Sequence, residues 1–512
     1  MTNRIFIPFI VVPLFVIISS ITSVQSASAA AVEGWVRVYD GGSDSAGRVA
    51  IDGNGNVVVS GNSAWDFYTA KYSGIDGSLL WERRHDGSVD TADSETDMAL
   101  DTSGNVVVTG TSSNQWYTAK YAAVNGALLW EKRFGVWEPP LSGHPRALAV
   151  DNSGNAIVTG VSAGDIYTAK YAAKDGTLLW EKLFSTGLGH DQANDVAVDS
   201  SGNVILTGSA NRAPTDADYY TAKYAAANGA LLWERRYNGV GNTDDSATAI
   251  ALDAVGNVAV TGASGRDSYT AKYAATTGAL LWEKRYVRQR SGYERATAVV
   301  ADRHGNVVVT GYSLNTNADF YTAKHAAADG TLLWEKRYNG AENAADQPNA
   351  LALDWNDNVV VTGYTDESGD PYVVKGDFYT AKYAAADGAL LWERRYNGSA
   401  NGSDSASRVA IGHNGMIVVA GPANMNESQG SGDYATIAYW EDLSPLVINV
   451  TSSDVQLHLR GVPGRSYEVQ RTGNMFGPWT TIATMTAPSQ GLIEYVDVNR
   501  PSGSAFYRVR TE

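Results

Sequence analysis

Cysteine is missing altogether from these 512 residues. That excludes disulfides, thiolate nucleophiles and cysteine-ligated metals. It leaves the fold to be held by core burial, which a chain of this length supplies. Bases are in deficit, with 39 Lys and Arg against 55 Asp and Glu and a net charge of −16. A field of that sign repels nucleic acid and anionic membrane surfaces, so neither is an expected partner. Beyond the N-terminus no apolar run is long enough to cross a bilayer. At the N-terminus Arg4 precedes the apolar stretch Ile5–Ile21, which Pro8 and Pro13 interrupt, and Ala27-Ser28-Ala29 follows in an A-x-A pattern. The expectation is a signal peptide over 1–29, cleaved after Ala29, and a secreted, periplasmic or cell-surface protein with no membrane span. Patterns of the G-x-S-x-G, Walker, H-E-x-x-H and EF-hand kinds are missing too.

What is abundant is Gly (52), Tyr (28) and Trp (14), with many Val-rich runs, a composition of strands and turns. The chain is organised around Asp377–Gly398, DFYTAKYAAADGALLWERRYNG, which recurs as YTAKYAAVNGALLWEKR at Tyr117–Arg133 and YTAKYAAKDGTLLWEK at Tyr167–Lys182. One repeat spans about fifty residues. In the unit beginning at Ala350, ALALD (Ala350–Asp354) and NVVVTG (Asn358–Gly363) flank a polar link. A variable stretch, DFYTAKY (Asp377–Tyr383), a small link and ALLWERRY (Ala389–Tyr396) follow. Each run reads as a β-strand, and four antiparallel strands per repeat predict the blade of an all-β propeller.

The landmarks count the blades. The third strand recurs from Tyr68 to Tyr379, with a degraded eighth copy at Tyr434–Tyr439, and the fourth recurs seven times from Trp81 to Trp392. The missing eighth fourth strand is at the front, where WVRVYDG (Trp35–Gly41) aligns with WERRYNG (Trp392–Gly398). An N-terminal strand that completes the last blade removes open sheet edges. Eight blades over 32–442 are expected, with seven as the alternative. Residues 446–512 lack the repeat and alternate in five or six short strands, which predicts a small β-sandwich.

The blade resembles the repeats of the quinoprotein dehydrogenase-like (PQQ-like) propellers. Ala385, Gly388 and Trp392 match the spacing of their tryptophan-docking motif, as do Ala123, Gly126 and Trp130; Lys382 replaces the motif's first alanine. The chain is also similar to bacterial seven-bladed-type propeller repeats. The C-terminal segment, with its closing FYRV, resembles fibronectin type III or immunoglobulin-like modules. Quinone-dependent members of the family use a vicinal cysteine pair, so their cofactor and dehydrogenase activity are not expected here, and no cofactor is assigned.

Each D-x-x-G-N turn, as at Asp52 and Asp354, invites a calcium reading. One carboxylate and one Asn per turn fall short of a calcium loop, and binding to the turn's own amides is the alternative. The mid-strand lysines (Lys71 to Lys382) and the glutamates of the next strand (Glu82 to Glu393) suggest cross-strand or inter-blade ion pairs. The second-to-third-strand and inter-blade links vary freely and emerge on one face, the expected working surface. Its candidate ligand residues are Trp65, Trp116, Trp137, Asp244, Asp245, Asp366, Glu367 and Asp370, with further acids at Asp93, Glu95 and Asp97. The function expected is that of a monomeric, non-catalytic binding scaffold for a protein or polysaccharide. The alternative is an extracellular carbohydrate-active enzyme with carboxylates at the channel mouth.

Overall fold

The structure is a computed structural model. It describes residues 16–17, 31–42, 44–87, 93–135, 143–213, 216–241, 243–287, 292–314, 318–340, 344–366, 376–399, 402–426, 431–441, 444–450, 454–473, 478–488, 491–499 and 505–511. Apart from Val16–Ile17, the expected signal peptide therefore lies outside the described residues. Among them there is no α-helix, hence no helix long and apolar enough to cross a membrane.

The chain divides into two compact units, Trp35–Ala438 and a second made of Met1–Gly34 with Tyr439–Glu512. The first is an all-β propeller. Its described residues form eight four-stranded antiparallel sheets, seven of them in simple sequence order. The eighth takes three strands from the end of the repeats (Arg408–Ile411, Ile417–Asn426 and Ser431–Glu441) and its outermost strand, Ala31–Tyr39, from the front. The first strands of successive sheets touch in cyclic order, the eighth returning to the first, so they surround the axis.

The sheets form where the sequence places alternating apolar residues between turn formers. Second and third strands are buried almost throughout, as in Val57–Ser63 and Asp66–Tyr72, because neighbouring sheets cover both faces. Between sheets, aromatic rings interlock. Trp116 meets Tyr167 edge-on at 5.4 Å between centroids, and Tyr237 stacks on Tyr269 at 3.7 Å. The second unit contains a three-stranded sheet (Ser444–Val450, Val455–Arg460, Leu492–Asp497) and a sheet of Phe506–Thr511, Ser466–Thr472 and Thr480–Thr486. The two share a core that includes Leu457, Tyr467, Ile493 and Tyr507.

Candidate functional site

Two sets of charged residues sit among the strands, one repeated and one not. The repeated set begins at the turn after each first strand. Asp52 accepts hydrogen bonds from the amides of Asn54 (2.9 Å) and Asn56 (2.8 Å). Its other oxygen pairs with Lys71 at 2.7 Å. Lys71 also donates to the Ala123 carbonyl of the next sheet (2.8 Å), as does the indole of Trp81 (3.2 Å). Gly126 lies against that indole, where a Cβ would come within 2.6 Å of the ring. The Lys–Asp pair recurs seven times, at 2.6–2.9 Å and nearly sealed from solvent. This corrects the expected Lys–Glu pairing, and the register explains it. Lys71 stands opposite Trp81 and shares its face, whereas Glu82 stands opposite Ala70 on the other face, where it accepts from Tyr68 at 2.8 Å. The turn carboxylates are thus bound to turn amides and a lysine. Burial alone would raise the pKa of Asp52, but the hydrogen bonds from Lys71 and Asn56 hold it below the usual carboxylate range.

The unrepeated set lies on the axis. Seven first strands carry a bulge, as between Glu95 and Asp97 and between Ala193 and Asp195. A bulge re-aims side chains, and here it lets adjacent residues such as Asn194 and Asp195 both reach the next sheet's first strand. The glycine opposite each bulge is obligatory, because a Cβ on Gly110 would strike the Ser94 carbonyl oxygen. At the position four residues before the turn, successive sheets carry Arg48, Asp97, Ala147, Asp195, Ala249, Ala298, Ala350 and Arg408. At this position charge is therefore confined to four sheets of the ring. Arg48 pairs with Asp97 at 2.5 Å. Asp97 and Asp195 accept from the backbone amides of Leu148 (2.7 Å) and Ile250 (2.9 Å) in the following sheets. Arg146, one position earlier, donates to Asn194 at 3.3 Å.

Glu95 is buried, and Arg48, Asp97, Asp195 and Arg408 are half-buried. Burial pushes the Glu95 carboxyl up to about 7 and that of Asp195 to about 6, and it lowers Arg408 to about 10, with Arg48 beside it adding to the effect. Burial is the strongest influence on Arg48 and would lower it, but Asp97, Glu95 and Asp195 together raise it. Such displaced groups, gathered where the repeat loses its symmetry, mark the axis as the candidate site.

The residues predicted from sequence are distributed differently. Trp65 is the candidate best placed for a ligand. It is 67% exposed in the tight turn between second and third strands, with φ = 73°, a conformation that strains a bulky residue. The equivalent turn residues are Asn114 and Gly164, which tolerate it. Trp116 is 5% exposed and belongs to the core between sheets; it occupies the place of Phe67, one residue before the repeated tyrosine. Asp244 is exposed and accepts from Ala217 N at 3.3 Å. Asp245 is fully buried and holds the inter-sheet link by accepting from Gly239 N, and Asp93 does the same for Gly87 N at 2.7 Å. Asp366 is buried near Asp377, whose carboxyl burial raises to about 6, with Asp404 and Asp366 adding to it. Trp137, Glu367 and Asp370 lie outside the described residues. Sequence reasoning missed Arg48, Arg146, Asp195 and Arg408, and placed Glu95 and Asp97 in a loop. Aligning the first strands residue by residue would have exposed all six. Among the described residues no group of three metal-ligating side chains forms a metal site.

The chain matches the family described as outer membrane protein assembly factor BamB over residues 117–320 and 266–433. Among solved structures it is similar to BamB from Moraxella catarrhalis, at 12% identity and a TM-score of 0.50, over 80% of this chain and 100% of that one. It is similar to the quinohemoprotein alcohol dehydrogenase from Comamonas testosteroni, at 12% identity and 0.56, over 83% and 79% of the two chains. A structure titled Dos1 propeller aligns at 10% identity and 0.54, over 79% and 95%. At such identities the likeness is one of fold. No curated protein matches the chain.

Proposed function

Since the chain belongs to the family described as outer membrane protein assembly factor BamB, we propose that it is an exported, non-catalytic binding scaffold. Its eight-bladed ring presents a protein ligand to the face of the variable loops. The observation that carries this reading is where the repeat breaks. The Lys–Asp–Trp belt is the same in every full copy, whereas the axial column and the turn at Trp65 differ from sheet to sheet. A binding site on a symmetric scaffold needs such local difference, and an exposed, strained tryptophan is an effective anchor for one. The family name, an assembly factor, favours a protein over a polysaccharide as the ligand. The C-terminal sandwich, which resembles fibronectin type III modules, serves as an accessory or anchoring module.

Site-specific photocrosslinking from position 65 in cells tests the reading. One partner of defined mass is expected, with crosslinks falling when acidic loop residues such as Asp244 are reversed in charge. Crosslinks spread over many bystanders would sink it. The alternative is a carbohydrate-active enzyme that uses the axial carboxyls Glu95 and Asp97. It requires hydrolysis of a polysaccharide that Glu95→Gln abolishes.

A further inference from the structure

The residues around Glu95 depart from the repeat in concert. Glu95 stands where the other seven first strands carry alanine or proline, as at Ala46 and Pro145. Across the seam Ser60 replaces the threonine found in six of the other sheets. There the threonine hydroxyl bonds a third-strand threonine, as Thr109 does Thr118 at 3.0 Å; Ser60 turns instead to Glu95 and donates at 2.9 Å. Gly47 gives the carboxyl its room, since a Cβ there would stand 3.1 Å from Glu95 Oε2. That second oxygen accepts no hydrogen bond among the described residues, and Asn62 fixes the strand by accepting from Glu95 N at 2.7 Å. A buried carboxyl with a neighbourhood altered to hold it, in one sheet of eight, is not required by the fold.

The guanidinium groups nearby are also incompletely used. Each has five N–H donors. Among the described residues Arg408 makes one hydrogen bond, from Nη1 to the Ser407 carbonyl at 2.9 Å, and meets no carboxylate at ion-pair distance. Arg146 Nε is buried without a partner. A half-buried cation without a counter-charge favours an anion beside it. Arg48 is matched by its ion pair with Asp97, so beside a neutral Glu95 the charge left without an ion-pair partner among the described residues is that of Arg408. That balance suits a monoanion. Phosphate, with up to two negative charges, would meet Asp97 and Asp195.

We infer that the axial cluster of Arg408, Arg48 and Glu95 binds one carboxylate group, supplied by a small organic acid or by an Asp or Glu side chain of a partner. The inference rests on the axis being part of a binding scaffold. The ligand carboxylate takes the forked N–H donors of Arg408, the geometry in which guanidinium groups hold carboxylates, and a protonated Glu95 donates to it. The charged groups around Glu95 are Arg48 from the first sheet, Asp97 from its own strand and Arg408 from the eighth. As pH rises through about 7 the Glu95 carboxyl ionises. The cluster then loses its net positive charge and binding weakens.

Calorimetric titration of the full chain tests this with three probes at equal ionic strength: acetate, an end-blocked peptide with a single glutamate, and inorganic phosphate. Saturable binding of acetate or the peptide is expected, weakened at least about tenfold in Arg408→Met. Between about pH 6 and about pH 8 it should weaken more in the native chain than in Glu95→Gln, where of the two raised carboxyls, Glu95 and Asp195, only Asp195 is left to ionise. If Arg408→Met does not fold, Arg408→Lys keeps the charge, loses the fork and is expected to bind several-fold more weakly. A peptide that binds tighter than acetate identifies a partner's side chain, and the reverse identifies a small acid. Binding of neither, phosphate binding equal to theirs, or affinity unchanged in the Arg408 variants would overturn the inference. In those cases crosslinking from position 65 would still stand or fall on its own.

Discussion

Asp253, in the turn after a first strand, and Glu95, within one, are carboxyl groups of the same ring, 8% exposed each, yet their surroundings act on them in opposite directions. Asp253 accepts from two turn amides and the Asn257 side chain and pairs with Lys272 at 2.8 Å, so its pKa lies below the ordinary value despite burial. Glu95 has one hydroxyl donor and is raised to about 7. The first arrangement occurs in seven sheets and the second in one. Repetition here accompanies complete satisfaction of charge, and incompleteness accompanies uniqueness. A protein that needs only a stable ring has no use for the second kind, which is why the axis and not the belt is the place to look for a ligand.

The largest effect should come from breaking the belt. Lys272→Met strands the Asp253 carboxylate in a sealed site, and removing one partner of a buried pair costs about 3–5 kcal/mol. Urea unfolding of the propeller should show that loss, and a change near zero would mean the belt carries no more than its Glu95 counterpart. Next is the axis. A raised carboxyl contributes stability that is present below its unfolded value, about 4.3, and lost as pH rises towards the folded value of about 7. Glu95→Gln should therefore stabilise the protein by on the order of 3–4 kcal/mol at pH 8 and leave it unchanged near pH 4. Parallel stability curves for the two proteins would erase the contrast. The belt carboxylates, being depressed, give the opposite limb. Their stabilisation holds above about pH 4 and disappears as pH falls through their folded values.

Smaller effects sharpen the comparison at the loop face. Trp65→Asn relieves a strained backbone and should raise stability by about 1 kcal/mol while weakening co-purification of the crosslinked partner with the full chain. Loss of stability would show that the indole serves the fold. Asp244→Asn removes one exposed charge and should change stability by no more than about 0.5 kcal/mol.

The belt was legible in the sequence because its residues recur, and recurrence needs no structure to be seen. Even so, the partner of the lysine was misread. Lys71 and Glu82 look like neighbours on adjacent strands, and only the pairing of Lys71 with Trp81 shows that they face apart. The axis was hidden for the converse reason. Arg48, Asp97 and Arg408 replace alanine within strands otherwise like their neighbours. A single substituted column in a short strand looks like drift until the bulge shows where its side chains go. Trp116 was misassigned because an aromatic residue near a variable loop suggests a ligand platform, although its place in the third strand is a core position.

The strand Ala31–Tyr39, which completes the eighth sheet, has a consequence for the order of events in folding. Every other sheet draws its four strands from one continuous stretch and is able to form as soon as that stretch is free. The eighth joins the two ends of the ring, where the hydroxyls of Tyr72 and Tyr434, 362 residues apart in the chain, come within 3.5 Å. Entropy alone makes so long a closure only about 0.6 kcal/mol dearer than one half its length. The burden falls on time. Until the last repeat has been synthesised, the front strand waits without its sheet, exposed to the mispairing that unpaired edges invite.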